Sequence, residues 1–436
     1  MADPKEGGNP VARLVRYSLA AVGPIGSAGA QFLLSLVLLR TLDPQAFGSF
    51  SFLLIASQLS WGLWSALFCA PLPILLHQGD ETARAQLLRC LFSTNLVGAA
   101  VAAVLFWAIA AALGVPPLAR ILFAVYGALA LLRWFGRAHA YATGTPLRST
   151  ASDLVYSGTL LLGVALAILD HAGSLQLAYG ALLVSAFLGL IPFGRTYLRA
   201  QFGRFSLFAI RGYGAIWRMH SGWSLLGVLT TEATGNAHVY IVTLFFGPAA
   251  FAPIAASALM IRPIGVAINA LTEFERAQMA RQIVERRLAA VNASVRMFRT
   301  VLVGAWIVTA SVAAVILAYA PHIMFPSHYP LHFLVTGAAL WMLVAGMRLV
   351  RTPESALLQA AGAFRQLAFA SVVSSGVSIV LVLLLLWTAG PLWSILGIVL
   401  GEAVFAGWTW MQAHRWRDEQ KGLVMAQAAP EIRVEA

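Results

Sequence analysis

The sequence predicts an all-α polytopic membrane protein, with about twelve transmembrane helices in two parallel-related six-helix bundles around a central cavity. Three observations predict it. First, 60% of the 436 residues are hydrophobic and only 11% are charged, whereas a soluble domain carries roughly 25% charged residues. Second, apolar runs long enough to cross a bilayer as a helix recur along the whole chain. Third, the basic residues segregate to alternate connections. Disorder is excluded by the sustained hydrophobicity, and a disulfide scaffold by the presence of only two cysteines, Cys69 and Cys90. Period-two alternation, the mark of a membrane β-barrel, is missing from the runs.

The first twelve residues are polar and include Lys5. The run after Arg13 and Arg16 continues to Leu39, too long for the core of a cleaved signal peptide, and is read as a retained first span. Further spans are expected near 49–76, 91–114, 118–138, 152–170, 174–193, 221–246, 250–273, 300–321, 331–348, 366–388 and 391–412. With the N-terminus inside, all but three of the 29 lysines and arginines fall on the inner side; the exceptions are Arg40, Arg120 and Arg262. This is the positive-inside pattern, and it predicts cytoplasmic N- and C-termini. The formal charge of +12 is thereby accounted for by topology, and no nucleic acid is implied as partner. Cys90 falls on the reducing side, so a Cys69–Cys90 disulfide is not expected.

Two inner connections are amphipathic. From Val284 the apolar positions Val284, Leu288, Val291, Val295 and Phe298 recur at helical spacing among arginines. The stretch from Tyr197 to Trp217 mixes Phe202, Phe205, Phe208 and Ile210 with its own arginines. Both are expected to lie as helices in the cytoplasmic interface, anchored on acidic headgroups; the second could also link two moving halves.

A short repeat sets the domain organisation. Pro44, Ala46 and Phe47, after span one, match Pro248, Ala250 and Phe251, after span seven, at a constant offset. Spans one and seven run the same way, so the halves are related by an axis along the membrane normal, as in many transporters. The expected divisions are an N-terminal half over 1–194, a basic amphipathic linker over 195–220, a C-terminal half over 221–412 and a cytoplasmic tail over 413–436.

The stretch from Gln31 to Phe50, an apolar helix followed by Arg40-Thr41-Leu42-Asp43-Pro44 and then Phe47-Gly48, resembles the first helix and turn of the polysaccharide-transporter branch of the multidrug/oligosaccharidyl-lipid/polysaccharide (MOP) exporter superfamily. The segment Phe246-Gly247-Pro248-Ala249-Ala250-Phe251-Ala252 resembles the matching turn of the second half, although Phe251-Ala252 departs from the usual Gly-Tyr. The resemblance implies a flippase that moves a polyprenyl-pyrophosphate-linked oligosaccharide from the inner to the outer leaflet of the bacterial cytoplasmic membrane, for exopolysaccharide, capsule or O-antigen assembly. It implies lipid-linked oligosaccharide and membrane lipids as partners, together with a polysaccharide polymerase and glycosyltransferases. Two alternatives stand beside it. One is a multidrug or small-solute cation antiporter of the same superfamily. The other is a membrane-embedded polysaccharide polymerase or ligase, which would need a substantial outer loop that this chain lacks.

Charges within a bilayer are costly and mark candidate sites. Arg262 lies twelve residues from both Ala250 and Phe274, about 18 Å from each end of an uninterrupted helix. Glu232 lies at similar depth on the preceding span. Arg262 suits a pyrophosphate, since guanidinium makes charge-assisted paired hydrogen bonds to phosphate oxygens. Glu232 suits a coupling cation or proton; a structural salt bridge between the two is the alternative. Asn236 shares the Glu232 face, whereas His238 points elsewhere and reads as a packing residue. Ser27, Gln31 and Ser35 form a polar stripe on span one, which either faces the cavity or packs closely on another helix. Arg133 and Arg137, one turn apart, either lead an anionic headgroup inward or snorkel to the interface. Glu402, mid-span in the last helix, is a second candidate for ion coupling, with no basic partner evident. His322, His328 and His332 have zinc-like spacing but no supporting Cys or carboxylate, so no metal is expected. No cofactor, catalytic residue or nucleotide-binding loop is expected either.

Overall fold

The computed structural model describes residues 10–69, 71, 72, 76, 81–169, 174–326 and 329–428. Every regular element among them is helical. The long helices are α1 (Pro10–Thr41), α2 (Pro44–Trp64), α3 (Glu81–Ala112), α4 (Pro117–Ala142), α5 (Pro146–Leu169) and α6 (Leu175–Leu188). They continue with α7 (Gly194–Gly203), α8 (Gly222–Ala258), α9 (Arg262–Val284), α10 (Leu288–Tyr319), α11 (Leu331–Ala360), α12 (Phe364–Ala389) and α13 (Ser394–Ala428). Among the described residues eleven stretches are long and apolar enough to cross a membrane. The longest, Gly227–Ile268, has 42 residues and runs across two of the expected spans, 221–246 and 250–273. It is broken by a kink at Gly247, whose φ of 79° and ψ of 169° are not helical. Without a Cβ, glycine takes this conformation at little cost, and Pro248 follows at the first position of the next helical segment, where its missing N–H is not needed.

The backbone divides into two compact units. The first comprises Met1–Glu232, Val239–Leu259 and Ile316–Val335; the second comprises Ala233–His238, Met260–Val315 and Thr336–Ala436. In the first unit α1 packs on α5, α3 on α4, and both α4 and α5 on α6. Its core is aromatic: Phe50, Phe123, Tyr126 and Tyr179 are almost wholly buried. In the second unit α12 packs on α13, and Met279, Val291, Val295, Phe298, Leu302 and Leu357 form a buried cluster.

That cluster corrects one expectation. The amphipathic stretch from Val284 is not a separate interfacial helix. Beyond a tight turn at Glu285–Arg287, with Arg286 at φ 57°, it is the beginning of the long α10. Val284 remains on α9 and exposed, but Val291, Val295 and Phe298 are covered by protein at Met279, Leu349 and Leu357. Helical periodicity identifies a face but not what covers it.

The repeated turns meet. Asp43 caps α2, its Oδ1 accepting from Ala46 N at 3.0 Å. The second turn has Gly247 in the equivalent place and no capping side chain of its own. Gln45 Oε1 instead accepts from Ala249 N, a partner 204 residues away at 3.2 Å. This spacing equals the repeat offset, so Gln45 bonds its own repeat mate. Beside it Gly48 closes on the same turn, where a Cβ would run into the Pro248 carbonyl oxygen. At the same turn Arg40 Nη2 donates to the His322 carbonyl at 2.9 Å. Of the zinc-like histidines, His328 lies outside the described residues.

Candidate functional site

In the first unit α4 and α5 form a hairpin. Arg133 stands nine residues before the end of α4, and Asp153 seven residues after the start of α5. The hairpin therefore brings them to one depth. Arg133 Nη1 donates to Asp153 Oδ1 at 2.7 Å, and Arg137 Nη2 lies 3.1 Å from Asp153 Oδ2. The Asp153 side chain is 2% exposed and the two arginines 10% and 14%. The Arg133 guanidinium also stacks over Tyr156, 4.3 Å from its ring centre, and Arg137 over Trp134 at 4.8 Å. A counter-charge on the next helix holds both arginines within the protein. Two guanidiniums share one carboxylate, so the group has a formal charge of +1.

The polar stripe of α1 borders this group. Gln31 is buried and its Nε2 donates to Tyr156 Oη at 3.0 Å. Ser27 and Ser157 hydroxyls are 3.1 Å apart. Ser35 closes onto the Gln31 carbonyl of its own helix. The stripe thus forms the α1–α5 seam. Gly23 admits the acid, since a Cβ there would meet Asp153 Oδ2 at 2.6 Å.

The second unit builds a counterpart. Arg348 Nε donates to Glu402 Oε1 at 2.8 Å, and Arg351 Nε lies 3.2 Å from Glu402 Oε2. The Glu402 side chain is 2% exposed. Arg351 stacks over Phe405, 4.5 Å from the ring centre. Glu402 therefore has two basic partners, contrary to the expectation of none. Both had been assigned to the inner connection, yet α11 continues helical to Ala360 and encloses them. Arg351 stands nine residues before the end of α11, as Arg133 does in α4, and each helix is followed by a left-handed glycine, Gly362 and Gly144. On α8, Gly235 faces Arg348, where a Cβ would lie 2.8 Å from Nη2. Each compact unit thus sets a glycine, Gly23 on α1 or Gly235 on α8, against a shared-carboxylate group, although the acid comes from α5 in one and α13 in the other.

A third such group lies one turn further along α11. Glu354 Oε1 accepts from Arg299 Nη2 at 2.6 Å and from Arg417 Nη2 at 3.1 Å, and Glu354 is fully buried. Sequence reading had missed Asp153 and Glu354 as site residues. The usable signal for Asp153 was that it lies about as far beyond the α4–α5 turn as Arg133 lies before it; Glu354 gave only its charge within a helix of apolar pattern.

The other expected residues are distributed as follows. Glu232 is half-buried on α8, and Tyr240 Oη, two turns along, donates to its Oε1 at 3.2 Å. Phe52 packs edge-on against the Tyr240 ring at 5.7 Å. Asn236 is half-buried. His238 is buried with its ring 5.2 Å from Trp341, in keeping with packing. Arg262 is not mid-helix: it is the first residue of α9, after a 3₁₀ turn at Leu259–Ile261, with Pro263 next. Glu232 and Arg262 belong to different units.

No family model matches the chain. No curated protein matches it. Solved structures do. An inward-facing multidrug resistance MATE family transporter of the MOP superfamily superposes with a TM-score of 0.67 at 13% identity, over 93% of this chain and 99% of that one. Lipid II flippase MurJ, in an inward closed conformation, gives 0.67 at 10% identity, over 92% and 87%. A MOP superfamily transporter from Pyrococcus furiosus gives 0.58 at 14% identity, over 93% and 96%. At these identities the likeness establishes the fold: nearly the whole chain has the helical arrangement of MOP superfamily transporters.

Proposed function

We propose that this protein is a flippase carrying a polyprenyl-pyrophosphate-linked oligosaccharide from the inner to the outer leaflet of a bacterial cytoplasmic membrane by alternating access, with both termini cytoplasmic. The lipid-linked intermediate would serve exopolysaccharide, capsule or O-antigen assembly beside glycosyltransferases and a polymerase. One observation carries the reading. Among the described residues the three buried carboxylates, Asp153, Glu354 and Glu402, each hold two arginines. The excess charge inside the helices is positive. A guanidinium already oriented by one carboxylate keeps donors for a phosphate oxygen, and in a low-dielectric setting that contact is strong. A carrier of cationic drugs needs the opposite excess. The similar folds include both a lipid II flippase and multidrug transporters, so the charge pattern and not the fold favours an anionic cargo. In this reading Arg262, Glu232, Asn236, Gln31, Arg133 and Arg137 serve the cargo path and Glu232 also the coupling ion, whereas Glu402, held by Arg348 and Arg351, supports those two cations.

The test is reconstitution in vesicles with a fluorescent polyprenyl-pyrophosphate oligosaccharide, its leaflet read by a membrane-impermeant quencher, and with a cationic dye in parallel. The wild-type protein is expected to move the lipid-linked sugar and not the dye. The double variant R137Q/R348Q leaves one arginine on each of Asp153 and Glu402 and does not touch the Glu354 group, so it should melt close to wild type yet lose at least tenfold in flipping. Dye transport without lipid flipping, or wild-type flipping by the double variant, overturns the proposal.

A further inference from the structure

The segment joining the two halves carries a second basic feature, independent of the transport reading. Between Asp170 and Glu232 the chain has five arginines, Arg195, Arg199, Arg204, Arg211 and Arg218, and no acidic residue. Helix α7 fixes how this segment is displayed. Its inward face is polar and buried. Tyr197 Oη donates to the Leu132 carbonyl at 3.4 Å, and Gln201 Nε2 to the Phe92 carbonyl at 3.3 Å. Gln201 Oε1 accepts from Asn95 Nδ2 at 3.0 Å, while Asn95 Oδ1 accepts from Trp64 Nε1 at 2.6 Å.

With Tyr197 and Gln201 turned inward, the opposite face presents Arg195, Leu198, Arg199 and Phe202 around a shallow groove that ends at Gly203. Arg195 and Arg199 are one turn apart, as are Leu198 and Phe202, so guanidiniums and apolar groups run side by side. Exposure continues through Phe205 and Leu207 to Phe208, which is 78% exposed and lies under the Arg211 guanidinium at 5.5 Å. A helix rigidly held on its polar side, with its apolar and cationic groups outward, has the opposite layout from a surface helix facing water.

We propose that α7 and the segment to Arg218 form a binding surface for anionic phospholipid. Arg195 and Arg199 hold the headgroup phosphodiester, and Leu198 and Phe202 lie against the first methylenes of the chains. Charge complementarity selects the occupant: an uninterrupted cationic stretch, fused to exposed aromatic side chains, matches an anionic leaflet and not a neutral one.

The full-length protein in dodecyl maltoside is titrated against fluorescent phosphatidylglycerol and read by anisotropy. Each arginine near an anionic surface contributes enough that R195Q/R199Q should bind about 30-fold more weakly, with an unchanged melting temperature because both side chains are exposed. R84Q/R89Q removes the same charge from exposed positions on α3 and should bind within twofold of wild type. Phosphatidylcholine and inorganic phosphate should not displace the probe. The proposal is overturned if R195Q/R199Q binds within twofold of wild type, if R84Q/R89Q weakens binding equally, or if phosphatidylcholine or free phosphate displaces the probe as well as phosphatidylglycerol does.

Discussion

Asp153→Asn removes the one negative charge from the group on α4 and α5. Both carboxylate oxygens are engaged, by Arg133 at 2.7 Å and Arg137 at 3.1 Å, and the side chain is 2% exposed. Each guanidinium–carboxylate attraction is about 4 kcal/mol at an effective dielectric near 20. Removing one partner of a buried pair costs about 3–5 kcal/mol, because the remaining charge is left without compensation. Here two charges are left. At about 2 °C per kcal/mol this lowers the melting temperature by about 6–10 °C. Melting of the detergent-solubilised protein, followed by size-exclusion fluorescence, measures it. A second substitution gives the reasoning its direction: Arg137→Gln in the Asp153→Asn background returns the group to +1 and should recover part of the loss. If Asp153→Asn melts with wild type, or if Arg137→Gln adds a full further loss, the shared-carboxylate account is wrong.

Glu402→Gln should act on the second unit as Asp153→Asn does on the first, lowering the melting temperature by a similar amount through Arg348 and Arg351. Gly48→Ala places a methyl against the Pro248 carbonyl and should cost about 1–3 kcal/mol, seen as a lower melting temperature, while Gln45→Ala removes only the borrowed cap on Ala249 and should cost about 1 kcal/mol. Gly235→Val crowds Arg348 and should lower flipping in the vesicle assay, with a smaller effect when combined with Arg348→Gln. Equal losses in the two backgrounds would show that Gly235 acts elsewhere.

The spans were legible because a bilayer demands long apolar helices and little else looks like them. The offset between Pro44 and Pro248 was legible too, and the Gln45–Ala249 bond gives it physical content. What the residues did not disclose was pairing. Arg348 and Arg351 look like ordinary inner-side arginines when a helix is ended at its last apolar residue. Only the continuation of α11 to Ala360 puts them beside Glu402, more than fifty residues away. Asp153 looks like a polar residue of a first turn until the α4–α5 hairpin sets it opposite Arg133. The stretch from Val284 shows the same limit from the apolar side: Val284 itself ends α9 and is exposed, and from Leu288 the helical spacing holds, but lipid and protein cores select the same face. Arg262 was placed by counting along an unbroken helix, and the 3₁₀ turn at Leu259–Ile261 breaks that count.

The ratio of arginines to carboxylates bears on more than stability. A pair that only fixed helix packing would be most economical as one arginine and one acid, since every further buried charge adds desolvation cost. Among the described residues all three buried carboxylates instead take two guanidiniums, and in the Asp153 and Glu402 groups a third attraction, the face of Tyr156 or Phe405, helps hold the surplus cation. The surplus is therefore stabilised where it stands. Its two best-matched members, Arg133 and Arg351, lie at the same distance from the turns that end their helices. That recurrence between the two units, with acids drawn from different helices, means that the position of the arginine is kept while the means of neutralising it varies. Such a pattern is the one expected when the cation is the functional element and the carboxylate its support, and it fits a path for an anionic headgroup better than a set of packing bridges.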